Sequence, residues 1–266
     1  MSLFSNITIG QYYPGDSLLH RMDPRAKILA LPLVIVMVLL ADSTVGFIAS
    51  GAPVLLGLLL AGIPVGTYWR GMKLLWFILL ISLVLQSLTY PGEKLWQWGM
   101  ISVSREGFIL GLKLFYRLSL LILSTMLLTM TTTPVNLTSG MEKLLQPLKR
   151  FGFPAHELAM MMTIALRFIP TLLEEAEAVM KAQQARGGSI STGNLSQRLR
   201  ASVALLVPLL AGSLRRADEL AVAMEARCYR GDTGRTRLKQ FQYRFVDFTV
   251  LTVLLISTTI VMIERW

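Results

Sequence analysis

The sequence predicts an all-α integral membrane protein with about five transmembrane helices and a module of amphipathic helices between the fourth and the fifth. Three observations carry this expectation. The chain has 266 residues, 53% of them hydrophobic, and a mean hydropathy of +0.57, too apolar for an ordinary soluble domain. Apolar runs of spanning or near-spanning length recur before residue 130 and again after residue 245. Between about 131 and 243, where most of the charges fall, apolar residues step at helical intervals instead of forming unbroken runs.

The net charge of +10 would point to nucleic acid if the cations shared a soluble face. They avoid the apolar runs and crowd the segments between them, as the positive-inside rule gives for cytoplasmic loops, and no aromatic-rich RNA or DNA module accompanies them. Nucleic acid is therefore not an expected partner, and membrane lipid is. A single cysteine, Cys228, rules out an intramolecular disulfide, and with only His20 and His156 no zinc-type ligand set can be assembled. Both histidines read as structural.

Along the chain, the polar segment up to Lys27 lacks the pattern of a cleaved signal peptide, and Asp23-Pro24 is placed to cap the helix that follows. Spans are expected over about Ala26 to Ala41, Val45 to Val65, Leu74 to Leu88 and Gly107 to Met130, with a turn at Asp42-Ser43. The first is short of the ~20 residues that cross a bilayer, so tilt or a snorkelling cationic flank would have to compensate. Tyr68, Trp69, Arg70 and Lys73 form a cationic and aromatic belt before the third span, and Tyr90 to Glu106 reads as an outside loop. Lys113 and Arg117 stand one helical turn apart in the fourth span. A charge at mid-bilayer costs about 2.5–3.5 kcal/mol, which leaves two readings for the pair: snorkelling to the membrane edge, or contact with a partner subunit.

After a polar stop at Thr131-Thr-Thr-Pro134, Val135 to Phe151 reads as a short surface or packing helix. A first long helix follows Pro154, with Leu158, Met161, Ala165, Ile169, Leu172, Ala176, Val179 and Met180 on its apolar face. Pro170 should kink it, and Gly187-Gly188 should end it. A second long helix carries Leu199, Val203, Leu206, Leu210, Ser213, Ala217, Leu220 and Met224 as a heptad seam, and the small residues Ser213 and Ala217 would let a neighbouring helix come close. A basic run, Arg235-Thr-Arg-Leu-Lys239 with Arg244, precedes a last span from about Phe245 to Ile263. The expected division is thus 1–130 with four spans, 131–244 as the amphipathic module, and 245–266 as the final span. The N-terminus and the module fall on the cytoplasmic side.

Catalytic chemistry has no visible home. The chain has no G-x-x-x-x-G-K-[ST], the nearest stretch being Gly231-Asp-Thr-Gly-Arg-Thr236, no H-E-x-x-H and no Gly-x-Ser-x-Gly. The interiors of the expected spans carry no carboxylates of the kind that proton- or sodium-driven carriers use. What stands out instead is a repeated device: both long helices close on an Arg between small residues, Ala185-Arg186-Gly187 and Ala226-Arg227-Cys228. At one site such an Arg is a plain C-terminal cap. Two copies favour a docking device, because a guanidinium engages carboxylates and carbonyls with several planar hydrogen bonds.

The run Ile164-Ala-Leu-Arg-Phe-Ile-Pro-Thr-Leu-Leu-Glu-Glu-Ala176, the Lys181-Ala-Gln-Gln-Ala-Arg-Gly187 and Ala223-Met-Glu-Ala-Arg227 ends, and Asp23-Pro-Arg-x-Lys27 together resemble the T component of energy-coupling factor transporters. That family includes CbiQ-type and EcfT-type subunits, and the resemblance covers essentially the whole chain. It implies a non-catalytic scaffold in a bacterial or archaeal cytoplasmic membrane. The scaffold would join two ABC ATPases, of the EcfA or CbiO kind, to a substrate-binding S component for uptake of a vitamin or a transition-metal ion. ATP and Mg would be held by the ATPases, with no cofactor and no metal site in this chain.

The resemblance assigns ATPase docking to Ala185, Arg186, Gly187, Ala226, Arg227 and Cys228, with Arg230 sharing the role. Cys228 departs from the Gly common at its position. Met161, Met162, Leu172, Leu210 and Ala217 would face the S component. Met160, Met161, Met162, Met180 and Met224 fit either such an adaptable surface or plain core. The rival readings are a stand-alone carrier and a membrane-embedded enzyme. For the latter the best acidic cluster, Glu174-Glu175-Glu177, lies on one exposed helical face.

Overall fold

The computed structural model describes residues 12–91, 93–98, 101–186, 194–231 and 241–265. The chain forms two compact units, one from Gly10–Met141 with Gln240–Trp266 and the other from Glu142–Lys239.

In the first unit, helices α1 (Leu18–Arg21), α2 (Pro24–Leu40), α3 (Thr44–Ala61), α4 (Val65–Thr89) and α5 (Arg105–Thr131) lead into α6 (Pro134–Leu145), which enters the second unit. There a 3₁₀ turn (Gln146–Phe151) precedes the long α7 (Ala155–Ala185) and α8 (Leu195–Ala226). The last helix, α9 (Phe245–Arg265), belongs again to the first unit and packs on α2 and α3. Pro170 lies inside an unbroken α7, and Pro208 inside α8.

Local rules place the helix ends. The Asp23 carboxylate accepts from Arg25 N, with Pro24 at the first helical position of α2. Ser43 caps α3 through Gly46 N, and Ser104 caps α5 through Gly107 N. Gly62, at φ 65°, ends α3 in the left-handed conformation.

By length and composition α3, α5, α7 and α9 can each cross a membrane among the described residues, and α4 qualifies through a 59° bend between Val65–Lys73 and Leu75–Thr89. The cationic and aromatic belt therefore forms the first arm of α4 instead of a connection before it. The 17-residue α2, with Pro32 inside, falls just short, in keeping with the short first run. Among the described residues α7 qualifies beyond expectation, because Ala159–Leu173 carries Arg167 as its one charge.

The segment from Tyr90 to Glu106 is not a plain loop. Strands β1 (Lys94–Trp98) and β2 (Ile101–Ser104) pair antiparallel within it, adding a small hairpin to the otherwise helical chain. Aromatic and β-branched residues and the period-two alternation of Ile101-Ser-Val-Ser104 account for this. The hairpin joins α4 to α5, which approach closely at Gly107 and Gly111. A Cβ on Gly107 would lie 2.5 Å from Gln86 O, and one on Gly111 3.2 Å from Leu83 O. This Gly-x-x-x-Gly spacing is a standard way for membrane helices to bring backbones together.

The core of this unit gathers Val34, Met37, Val38, Val54, Leu120 and Leu254. Beside it sits a buried polar interlock. Asp247, fully buried in the first turn of α9, accepts from Asp23 N at 3.0 Å and from Arg244 N at 2.7 Å. Arg25 forks onto the Asp23 carboxylate, donates to Phe241 O at 3.0 Å and stacks 4.3 Å from the Tyr243 ring. The Lys27 Nζ donates to Thr131 O and Thr132 Oγ1, both at 2.9 Å, tying the start of α2 to the end of α5. The Asp23-Pro-Arg-x-Lys27 motif is thus the clasp that gathers α2, α5 and α9 at one end.

The opposite end of α2 is held by two cations in the first half of α5. Lys113 Nζ donates to Asp42 O at 3.1 Å, and Arg117 bonds both Ala41 O and the Asp42 carboxylate. Both cations therefore reach the turn after α2, which fits the snorkelling reading and gives the turn carbonyls their donors.

Asp247→Ala leaves two buried backbone N–H groups without their acceptor and the buried Lys27 without the carboxylate that offsets it, and should destabilise the detergent-solubilised chain by about 3 kcal/mol or more. Glu93→Ala, which removes an exposed pair with Arg105, should cost under about 1 kcal/mol in the same thermal-unfolding comparison.

Candidate functional site

The second unit is organised by the contact of its two long helices. Glu175 of α7 and Arg216 of α8 form an ion pair at 2.6 Å, both side chains largely covered. Gly212, one turn before Arg216, is buried there, and a Cβ at this position would lie 2.7 Å from Glu175 Oε1. The close approach thus falls on Gly212 and not on Ser213 and Ala217, of which Ala217 is exposed. The acidic cluster is split in the same way: Glu174 faces outward, while Glu175 turns to Arg216 and Glu177 pairs with Lys181 at 3.6 Å. Among the described residues no group of His, Cys, Asp or Glu side chains is arranged to hold a metal ion.

From that contact each helix runs eleven residues to its terminal Arg, from Glu175 to Arg186 and from Arg216 to Arg227. At the helical rise this is about 16 Å on either arm. Helix α7 closes at Ala185, and the backbone N–H of Arg186 donates to Ala182 O and Gln183 O at 3.3 and 3.1 Å. Ala185 and Arg186 are exposed, and Gly187 lies outside the described residues.

The end of α8 has a more defined shape. Cys228 N donates to Glu225 O at 2.9 Å and Tyr229 N reaches back to Met224 O at 3.0 Å, with Cys228 at φ 56°. This is a Schellman closure with Cys228 in the left-handed position that ordinarily takes glycine. Ala226, Arg227, Cys228 and Arg230 are all exposed. At both ends the main chain does the capping, which leaves the guanidinium groups of Arg186 and Arg227 at the surface.

Tyr229 then anchors the α8 end. Its hydroxyl meets His156 Nε2 at 3.0 Å and Met160 Sδ at 2.8 Å, and His156 Nδ1 meets Glu142 Oε1 at 2.9 Å. A polar chain, Glu142–His156–Tyr229, therefore joins the end of α6, the first turn of α7 and the residue following the second Arg motif. His156, buried and bonded on both ring nitrogens, is a hub in this chain. No local signal points to it, because its partner Tyr229 lies 73 residues away.

The remaining candidate residues divide by burial. Met161 and Met162 are 57% and 53% exposed, and on α8 Leu206, Leu210 and Leu214 are exposed in turn along the helix. Leu172 is half-buried, and Met180 is buried. The methionines are therefore split between an outward face at the start of α7 and core near its end.

Replacing Cys228 by Gly should stabilise the chain by about 1 kcal/mol, since a side chain in left-handed backbone is strained, whereas Cys228→Val should destabilise it. Thermal unfolding of the three proteins checks this order. Arg216→Glu sets two carboxylates against each other at the α7–α8 contact and should cost roughly 1–2 kcal/mol, recovered in the exchanged pair Glu175→Arg/Arg216→Glu. No recovery in a double-mutant cycle would remove the ion pair from this contact.

Comparison with known proteins agrees with this architecture. The family model CbiQ, described as cobalt transport protein, matches residues 15–238. The chain is similar to the energy-coupling factor transporter transmembrane protein EcfT of Acidaminococcus fermentans, 50% identical over 264 residues that cover 99% of this chain and 98% of that protein. It is 45% identical to the protein of the same name from Clostridium kluyveri over 265 residues, covering 99% and 98%. The Bacillus subtilis protein is 40% identical over 264 residues, covering 99% and 100%. With matches that run nearly end to end, the chain belongs to the CbiQ/EcfT family, the transmembrane components of energy-coupling factor transporters.

Proposed function

We propose that this chain is the non-catalytic coupling scaffold of an ATP-driven importer. It links two cytoplasmic ABC ATPases to a membrane-embedded S component that carries a vitamin or a transition-metal ion. ATP and Mg are bound and hydrolysed by the ATPases, one docking on Ala185-Arg186-Gly187 and the other on Ala226-Arg227-Cys228 with Arg230. The second unit and the N-terminus face the cytoplasm of a bacterial or archaeal cell, as the crowding of Lys and Arg between the apolar runs favours.

The observation that carries this reading is the pair of exposed arginines at the ends of two helices that meet at Glu175, Gly212 and Arg216, eleven residues short of each. Such helices act as levers. A change in the separation of two ATPases pulls on both motif ends, and the contact converts it into a movement of the outward apolar faces. Met161, Met162, Leu210 and Ala217 on those faces, with the half-buried Leu172, meet the S component. The guanidinium is suited to the docking role by its planar set of donors, which a partner's carboxylates and carbonyls accept. The Schellman closure holds Arg227 in a fixed place while its side chain stays outside.

A tagged pull-down from gently solubilised membranes tests the assignment. Wild type should bring down two ABC ATPases and a small membrane protein, and Arg186→Ala/Arg227→Ala should lose the ATPases while keeping normal yield in the membrane. Unchanged ATPase recovery with Arg186→Glu/Arg227→Glu would overturn the docking role.

A further inference from the structure

A cavity of about 300 Å³ opens between α1, α2, α3, α5 and α9 in the first unit. Its interface end lies where α2 and α9 begin and α5 ends, at Lys27, Val246 and Thr131, and its deep end is formed by the core residues Val34, Val54 and Leu254. From Lys27 to Val34 is about 10 Å of helix, a third of the ~30 Å hydrocarbon core. Ala30 and Gly57 supply the room, since each takes up little space where a longer side chain would fill the cavity.

The polar side chains on its walls are already committed. Lys27 Nζ donates to Thr131 O and Thr132 Oγ1, Ser124 Oγ to Leu121 O at 2.9 Å, Thr131 Oγ1 to Leu127 O at 2.7 Å, and Thr249 Oγ1 to Val246 O at 2.9 Å. A water molecule needs about two to four polar partners, and a polar ligand needs donors aimed at it. Neither is offered here, so the occupant is apolar. The cavity is also half open: Leu56, Leu60 and Val253 line it and are 56%, 49% and 50% exposed. In a bilayer that opening faces hydrocarbon, and an apolar void left empty forfeits the dispersion contacts of its walls.

We propose that this cavity seats one acyl chain of a membrane phospholipid, entering from the leaflet at which α2 and α9 begin. The chain is then a removable part of the packing between α2, α3, α5 and α9, of which the buried clasp around Asp23, Lys27 and Asp247 gathers α2, α5 and α9 at one end. The inference rests on the membrane location of these helices and not on the docking role of the arginines.

The test is photo-crosslinking of the full chain in phosphatidylethanolamine and phosphatidylglycerol vesicles. These are doped with a phospholipid bearing a diazirine in the upper half of one acyl chain, and adducts are mapped by peptide mass spectrometry. Adducts are expected on Ala30, Leu31, Leu128 and Val250 inside the cavity as well as on the outward Ile48 and Ile263. Ala30→Phe, which fills the cavity, and Val253→Trp, which blocks its half-exposed mouth without entering the core, should each reduce the cavity adducts several-fold and leave the outward ones unchanged. Two results overturn the proposal: wild-type cavity residues unlabelled while Ile48 and Ile263 are labelled, or cavity labelling unaffected by both variants. Cavity labelling by a water-soluble diazirine in place of the lipid probe would overturn it as well.

Discussion

A helix that ends in or near hydrocarbon must find partners for its terminal backbone groups within the protein, because lipid offers none. Asp247 meets this demand for two chain segments at once, through the N–H groups of Asp23 and Arg244. Its charge is offset by Arg25 and Lys27, which in turn bind the carbonyls of Phe241 and Thr131. At the other end of α2, Arg117 and Lys113 provide for Ala41 and Asp42. These charged groups are therefore placed where helices stop, and the packing of α2, α5 and α9 follows from satisfying those ends.

In the second unit the same backbone demand arises at the ends of α7 and α8. A plain C-terminal cap and a docking arginine look like competing readings when only the letters are seen. The structure separates main chain from side chain: the N–H groups of Arg186, Cys228 and Tyr229 close the helices, and the guanidinium groups take no part in that closure. The strained left-handed Cys228 fixes the direction of the chain after Arg227, and Tyr229 pins it to His156. The Glu175–Arg216 pair and Gly212 hold the two helices in close contact eleven residues before each terminal Arg.

Much of the fold was legible because the bilayer and the helix each impose a period or a length on the residues. The spans at α3, α4, α5 and α9, the Asp23-Pro24 cap and the two long amphipathic helices showed in this way, whereas α2 fell short of a span and α7 proved apolar enough to be one. The hairpin of β1 and β2 escaped because its strands are only five and four residues long, too short to outweigh the turn residues around them. Asp247 escaped because an acidic residue in a first helical turn is ordinary on its own. Gly212 escaped because Ser213 and Ala217 sit on the heptad seam and it does not, yet it is the position that lies opposite the Glu175 carboxylate.

By itself the sequence determined what depends on near neighbours. Composition and run length put the chain in a membrane, helical spacing set the long helices, and small residues around Arg186 and Arg227 marked both ends. Only the tertiary structure decided what depends on residues far apart in the chain: the 224-residue reach from Asp23 to Asp247, the 73-residue reach from His156 to Tyr229, and the partner of Glu175. The reason is physical. Backbone hydrogen bonds and hydrophobic periodicity act over a turn or two of helix, whereas a buried charge takes whichever partner packing brings within about 3 Å.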